Sequence, residues 1–238
     1  MLKAINATMN IQNLLKAFIS LFYPDLCVIC GNPLVAGENY FCLECSLQLP
    51  KTNYHLNPDN QASDRFAGKI PLTKAGSYLY YSKGGIAQKL IAEIKYKGNR
   101  NLGEWMGVLI AKEWSSSGFF QDVDYLVPVP LHSSKERKRG FNQAERIAAG
   151  IAQVTGIQMD TKNVFRKKAN TTQTKKGLFE RWKNTKDLFE VQNLALFKNK
   201  HILIVDDVLT TGSTLEAVAQ SILKAEGVKI SLLSLAIA

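Results

Sequence analysis

Along the chain the apolar positions change period several times, and each change marks an element. Gly76 to Ser82 looks like a β-strand, after which Ile86, Leu90, Ile91 and Ile94 recur at helical spacing and a second helical stretch runs from Leu102 to Trp114. Val123 to Val129 is a β-rich run closed by Pro128 and Pro130, Asn142 to Val154 is helical, and Val164 with Phe165 predicts a short strand. Leu188 to Val191 returns to β composition, and His201 to Val205 is a continuous apolar run of the kind that a strand buried on both faces shows. A helix follows over Ser213 to Ala225, with Leu215, Val218, Ala219, Ile222 and Leu223 as its apolar positions, and Val228 to Ala236 is a last strand. Strands alternating with helices predict an α/β domain built on a mostly parallel sheet with helices on its faces.

The first third of the chain follows other rules. Leu14, Leu15, Phe18, Ile19, Leu21 and Phe22 form an apolar stretch that Asn13 and Lys16 interrupt. That is short of the roughly 18 uninterrupted apolar residues of a membrane span, so residues 1–23 predict an amphipathic helix and no membrane span. Residues 24–50 are rich in cysteine and turn residues and cannot build a core alone, and Tyr54 to Pro71 is polar, with Asn57-Pro58-Asp59-Asn60 and Gly68. The organisation expected is an N-terminal helix (1–23), a small cysteine module (24–50), a linker (51–75) and a main α/β domain (76–238). A chain of 238 residues with 46% hydrophobic content has room for one sizeable core and one small module. Its net charge of +10 favours polyanionic ligands such as phosphates, diphosphates or nucleic acid.

All four cysteines fall in two Cys-x-x-Cys pairs, Cys27 with Cys30 and Cys42 with Cys45. Each such turn aims two sulfurs at one point, so four thiolates can close a tetrahedron around Zn²⁺. The competing readings are a redox pair or buried free thiols, but a redox motif comes once, ahead of a helix in a βαβ context. A closed four-thiolate site leaves no open coordination position, which predicts a structural role. Paired thiols in a chain without a secretory signal also predict a cytoplasmic protein.

The most specific segment is His201-Ile202-Leu203-Ile204-Val205-Asp206-Asp207-Val208-Leu209-Thr210-Thr211-Gly212-Ser213-Thr214. An apolar strand ends in two carboxylates, and ligands of open α/β sheets bind just outside the carboxyl ends of strands. Paired acceptors suit the vicinal hydroxyls of a ribose. Thr210 to Thr214 then form a hydroxyl-rich turn with Gly212 ahead of a helix, which offers backbone N–H groups and the positive helix end to a phosphate. No Gly-x-x-x-x-Gly-Lys pattern is present, which excludes a Walker-type nucleotide loop.

This strand, its two acids and the Thr-Thr-Gly-x-Thr turn resemble the phosphoribosyl-diphosphate motif of the type I phosphoribosyltransferases. Tyr96-Lys97-Gly98, Val127-Pro128-Val129-Pro130-Leu131-His132, Arg139-Gly140-Phe141-Asn142-Gln143, Thr171 with Gln173, and Arg181 with Asn184 further resemble the ComF family, whose members also begin with a cysteine-rich zinc segment. The resemblance implies that Asp206 and Asp207 hold the ribose hydroxyls and that Thr210, Thr211, Gly212, Ser213 and Thr214 cradle the 5-phosphate. It makes the turn after Val127 to Pro130 a diphosphate loop. Residues 166–186, with eight basic side chains against the single acid Glu180, become a mobile loop whose Lys175, Lys176 and Arg181 would contact the diphosphate. Thr210 departs from the purine-salvage members, which have a carboxylate there, and this speaks against transfer to a purine.

Two function classes follow from the resemblance. One is an enzyme that transfers a phosphoribosyl group from phosphoribosyl diphosphate, with Mg²⁺, to a nitrogen nucleophile of unknown identity. The other is an accessory protein of DNA uptake that binds single-stranded DNA or a helicase. Lys135 to Arg139 with Phe141 could track a nucleic-acid backbone and stack one base, or form a charged helix entry with Phe141 in the core. His132 could serve as a general acid or base, as a diphosphate contact or as a hydrogen-bonded loop residue, and Trp105, Trp114 and Trp182 suggest packing residues rather than a stacking platform.

Overall fold

The computed structural model describes residues 23–167 and 188–238. The helix expected over 1–23, and Lys175, Lys176, Arg181 and Trp182, therefore lie outside the described residues. The chain divides into two compact units, Met1–Leu49 and Pro50–Ala238. Among the described residues no helix is long and apolar enough to cross a membrane.

In the first unit two isolated antiparallel bridges, Leu26 with Pro33 and Asn39 with Phe41, precede the short helix α1 (Leu43–Leu47). Its entry is set by Glu38, whose carboxylate accepts the N–H groups of Val35 at 2.9 Å and Leu43 at 2.7 Å. Gly31 sits at φ +81°, the left-handed conformation that the first Cys-x-x-Cys turn requires.

The second unit opens with a segment that looks like a linker in sequence but packs as part of the domain. Helix α2 (Gln61–Asp64) is held by a capping box in which Asn60 accepts from Ala62 and Ser63 while Ser63 Oγ accepts from Asn60 N–H. The Asn60 amide also donates to the carbonyl of Ala75 at 3.0 Å, which pins the turn to the first strand, and Phe66 is 1% exposed. Side-chain-to-backbone bonds of this kind let a polar stretch adopt fixed structure without an apolar periodicity.

The sheet then forms from β1 (Lys74–Tyr80), β2 (Tyr125–Pro128), β3 (Gln158–Met159), β6 (His201–Leu209) and β7 (Lys229–Ile237), in the order β1-β7-β6-β2-β3, with every pairing parallel. A separate antiparallel pair, β4 (Val164–Arg166) and β5 (Phe189–Val191), stands beside it. The helices are α3 (Ile86–Tyr96), α4 (Arg100–Trp114), α5 (Ser133–Arg139), α6 (Gln143–Thr155) and α7 (Ser213–Ile222). Ile202, Leu203, Ile204 and Val205 are all fully buried, as expected of a central strand with apolar layers on both sides.

Helices α4 and α6 cross with their backbones in contact. A Cβ at Gly107 would run into the carbonyl oxygen of Ile147 and lie 3.1 Å from the Cα of Gly150, while one at Gly150 would run into the carbonyl oxygen of Glu104. Gly76 on β1 similarly makes room for Trp114, whose ring a Cβ there would meet at 2.8 Å. Trp114 packs edge-on to Phe119 at 4.9 Å between centroids and stacks on His55 at 4.7 Å. His201 is also accounted for, with its Nε2 2.8 Å from Ser231 Oγ in the sheet interior.

One difference from the expected pattern bears on function. The central strand does not stop at Val205 but runs on through both acids to Leu209, because its backbone stays paired with β7 as far as Leu209 opposite Ile237. Its other edge parts earlier: β2 pairs with it only as far as Pro128 opposite Val205, closed by the Val129 N–H to Val205 O bond at 2.9 Å. A crevice therefore opens between β2 and β6 at the level of Asp206. The chain leaves β2 toward β3 and leaves β6 toward β7, in opposite directions, so this crevice is the topological switch point where open α/β sheets bind ligands.

Candidate functional site

Four groups converge on that crevice. Asp206 and Asp207, adjacent on β6, are half-buried, and the Asp207 N–H donates to Asp206 Oδ1 at 2.8 Å. Lys95, near the end of α3, reaches both oxygens of Asp207 at 2.9 Å, and both side chains are only 17% exposed. Loss of solvation, with the Asp207 charge alongside, pushes the Asp206 carboxyl up to about 7, although the Asp207 N–H and the Lys95 ammonium pull the other way. The pair is thus a charged carboxylate tied to a cation beside one poised to hold a proton near neutrality.

The turn that follows presents Thr210, Thr211, Ser213 and Thr214 to solvent. Gly212 is buried between them at φ +81°, and a Cβ there would meet the Phe66 ring at 2.9 Å. Both the backbone conformation and the space beneath it require glycine. Gly212, the N-cap of α7, has no side chain to cap the helix, and the Ser213 N–H donates to Thr211 Oγ1 at 3.4 Å, which ties the exposed hydroxyls to the positive end of the helix. Arg65 steadies the turn from below by donating to the carbonyls of Thr210 and Ala238.

Across the crevice, Val129 to His132 lead from β2 into α5. Asn142 fixes this loop by donating to the Val129 carbonyl at 3.0 Å while its own oxygen caps α6. His132 Nδ1 accepts the Ser134 N–H at 3.2 Å and lies 2.7 Å from Ser134 Oγ, so its ring serves as the cap of α5. A cavity of about 260 Å³ beyond the loop is lined by Pro130, Leu131, His132, Asn142, Arg166 and Lys167. Of the basic segment, Arg166 and Lys167 are described: the first lies over the Phe189 ring at 5.5 Å and the second pairs with Glu190 at 3.4 Å. Phe141 is buried beneath the Arg100 guanidinium, which favours the core reading of that aromatic.

Lys95 and Arg65 carry no mark in the sequence comparable to the paired acids. Lys95 precedes the Tyr96-Lys97-Gly98 motif and falls on a helix where a lysine is unremarkable. Arg65 sits in the apparent linker, and only the Asn60 to Ser63 capping pattern beside it signals order.

In the first unit the four cysteine sulfurs lie within 4.8 Å of one another, with Cys30 and Cys42 sulfurs 3.8 Å apart. A tetrahedral ion with metal–sulfur bonds near 2.3 Å requires sulfur–sulfur edges of about 3.8 Å, so the donor set fits zinc. Burial opposes ionisation of Cys27, but the backbone N–H groups of Cys30, Cys42 and Ile29 outweigh it and bring this thiol down to about 6. Burial raises Cys45, and the neighbouring thiols add to the effect. A metal ion is the group that would let all four sulfurs ionise together.

The parallel sheet, the acids at its switch point and the hydroxyl turn define a phosphoribosyltransferase-like domain, and the phosphoribosyl transferase domain family matches residues 137–237. Competence protein F of Haemophilus influenzae is 32% identical over 219 residues, 85% of this chain and 93% of that protein. DNA utilization protein YhgH of Escherichia coli K12 is 28% identical over 220 residues, 86% of this chain and 93% of the relative. Competence protein ComFC of Bacillus subtilis is 27% identical over 148 residues, 60% of this chain and 56% of the relative. The chain belongs to the ComF family, named for competence protein F, within the type I phosphoribosyltransferase superfamily.

The raised Asp206 carboxyl has a measurable consequence. Its folded-state value of about 7 lies above the ordinary 3.9, so as pH rises from about 4 through 7 the unfolded chain releases the proton first and stability falls. Asp206→Asn is expected to melt above the wild type already at pH 5, by a margin that widens by roughly 4–9 °C between pH 5 and pH 7, given about 1.4 kcal/mol per pKa unit and ~2–4 °C per kcal/mol. Melting curves that stay parallel from pH 5 to 8 would count against this environment for Asp206.

Proposed function

We propose that the crevice between β2 and β6 binds phosphoribosyl diphosphate with Mg²⁺. The support is the convergence, at the switch point, of two carboxylates suited to the ribose 2′- and 3′-hydroxyls with an exposed hydroxyl turn and the positive end of α7, suited to the 5-phosphate. The diphosphate would extend toward Val129 to His132. Mg²⁺, a hard cation that takes oxygen ligands, would neutralise charge on the diphosphate, and Asp206 and Asp207 supply nearby oxygens. Such a site serves phosphoribosyl transfer to a nitrogen acceptor, and Thr210 in place of an acid argues against a purine. We further infer one structural Zn²⁺ on Cys27, Cys30, Cys42 and Cys45, and a cytoplasmic location in keeping with reduced, metal-bound thiols.

The test is thermal melting with the donor and Mg²⁺. A ligand at 100 times its Kd stabilises by about 2.7 kcal/mol, or roughly 5–10 °C for a chain of this size. The double substitution Asp206→Asn, Asp207→Asn is expected to remove the shift while the unliganded protein still melts cooperatively. A full shift retained in the double variant would move the ribose site elsewhere.

A second reading, single-stranded nucleic acid as partner, is favoured by α5, where Lys135, Arg137 and Lys138 are exposed with Glu136 the one acid between them. The names of the relatives, which refer to competence and DNA utilization, point the same way. Each strand phosphate neutralised steepens the log-affinity against log-salt slope by about 0.7.

A further inference from the structure

Two segments far apart in sequence, around Tyr96 and around Arg139, meet beside the crevice, and the phosphoribosyl site uses neither. Tyr96 is the last residue of α3 and is 78% exposed, although a packing tyrosine would bury its ring. The Arg139 guanidinium lies over that ring, 5.9 Å from its centroid. It is anchored from the core side, because Arg139 Nη1 donates at 2.8 Å to Gln143 Oε1 and Gln143 is 1% exposed. The corner is closed a second time where Arg100 donates to the Gly140 carbonyl at 2.8 Å. The residue before Tyr96 is Lys95, which reaches Asp207, so the ring stands at the end of the same helix that touches the crevice.

We propose that Tyr96, backed by Arg139, is a stacking platform for one base of a single-stranded nucleic acid whose neighbouring phosphates lie against the exposed cations of α5; this rests on the nucleic-acid reading above. Every base offers a π-face, so an exposed ring flanked by a fixed guanidinium accepts any of them, and the contact is sequence-tolerant. A free nucleobase has the same stacking chemistry. The strand fits better because Lys135, Arg137 and Lys138 provide sites for flanking phosphates that a free base lacks.

Fluorescence anisotropy with a labelled oligothymidine and with an abasic strand of the same length and charge tests the platform. The wild type is expected to bind the thymidine strand about tenfold more tightly, as one base–aromatic stack provides. Tyr96→Ala should erase that difference without altering abasic affinity or the salt slope, and Tyr96→Phe should keep it. The donor-induced melting shift of Tyr96→Ala, unchanged, verifies that the fold and the phosphoribosyl site are intact. Equal binding of the two strands by the wild type, or full thymidine-strand affinity in Tyr96→Ala, overturns the platform and leaves the nucleic-acid reading standing. Absence of binding to either strand at low salt removes both. If free nucleosides raise the melting temperature of the wild type but not of Tyr96→Ala, while strand binding stays base-independent, a strand as occupant is overturned.

Discussion

Replacing Cys27 and Cys45, the two buried cysteines of the cluster, with serine is expected to eliminate bound zinc and unfold the residues around α1, while Pro50–Ala238 keeps its cooperative melting. Among the described residues of the first unit only Ile29, Phe41 and Leu49 are buried with Cys27 and Cys45, and in small modules of this kind metal binding supplies about 10–16 kcal/mol of apparent free energy, which is effectively the folding energy. Elemental analysis should give one zinc per wild-type chain and none in the double variant, and limited proteolysis should cut the variant between residues 24 and 49. Wild-type protein purified without chelator and found free of zinc would refute the assignment.

The second large effect is expected at the crossing of α4 and α6. Gly150→Ala gains about 1 kcal/mol of helix propensity, but its Cβ would strike the Glu104 carbonyl and come within 2.7 Å of the Val108 nitrogen. Backbone atoms on a helix axis cannot swing aside as a side chain does, so the overpacking cost of about 3 kcal/mol or more prevails. A net fall in melting temperature of roughly 5–10 °C follows. Gly103→Ala is the control, because its Cβ would meet the Arg146 Cβ at 3.2 Å, a contact that a small shift relieves. Equal melting temperatures for the two variants would show that the helices can separate without cost.

Much of this architecture is legible in the chain. His201 to Val205 announces a buried central strand, and the two acids and hydroxyl turn behind it mark the ligand end of the sheet, because both signals are local. The strand's continuation to Leu209 is not legible, since it depends on backbone pairing with β7, and backbone pairing is indifferent to the polarity of Asp206 and Asp207. Lys95 is hidden for a related reason: its partner is distant in sequence and only the closed fold brings them together. Phe141 and Tyr96 show the converse. In sequence the aromatic beside the basic cluster is Phe141, but the fold buries it and brings up Tyr96 from another helix to stand beside Arg139.

The packing of Phe66 beneath Gly212 bears on how the domain can be cut for expression. A fragment that starts at the first strand, at Lys74, would retain every strand of the five-stranded sheet, both acids and the whole hydroxyl turn. It would nevertheless lack the aromatic floor under that turn and the Arg65 guanidinium that ties Thr210 to Ala238. Such a fragment should fold its sheet yet leave the hydroxyl turn unsupported, so the practical boundary of the domain lies before Asn60, whose capping box orders the segment that carries Arg65 and Phe66.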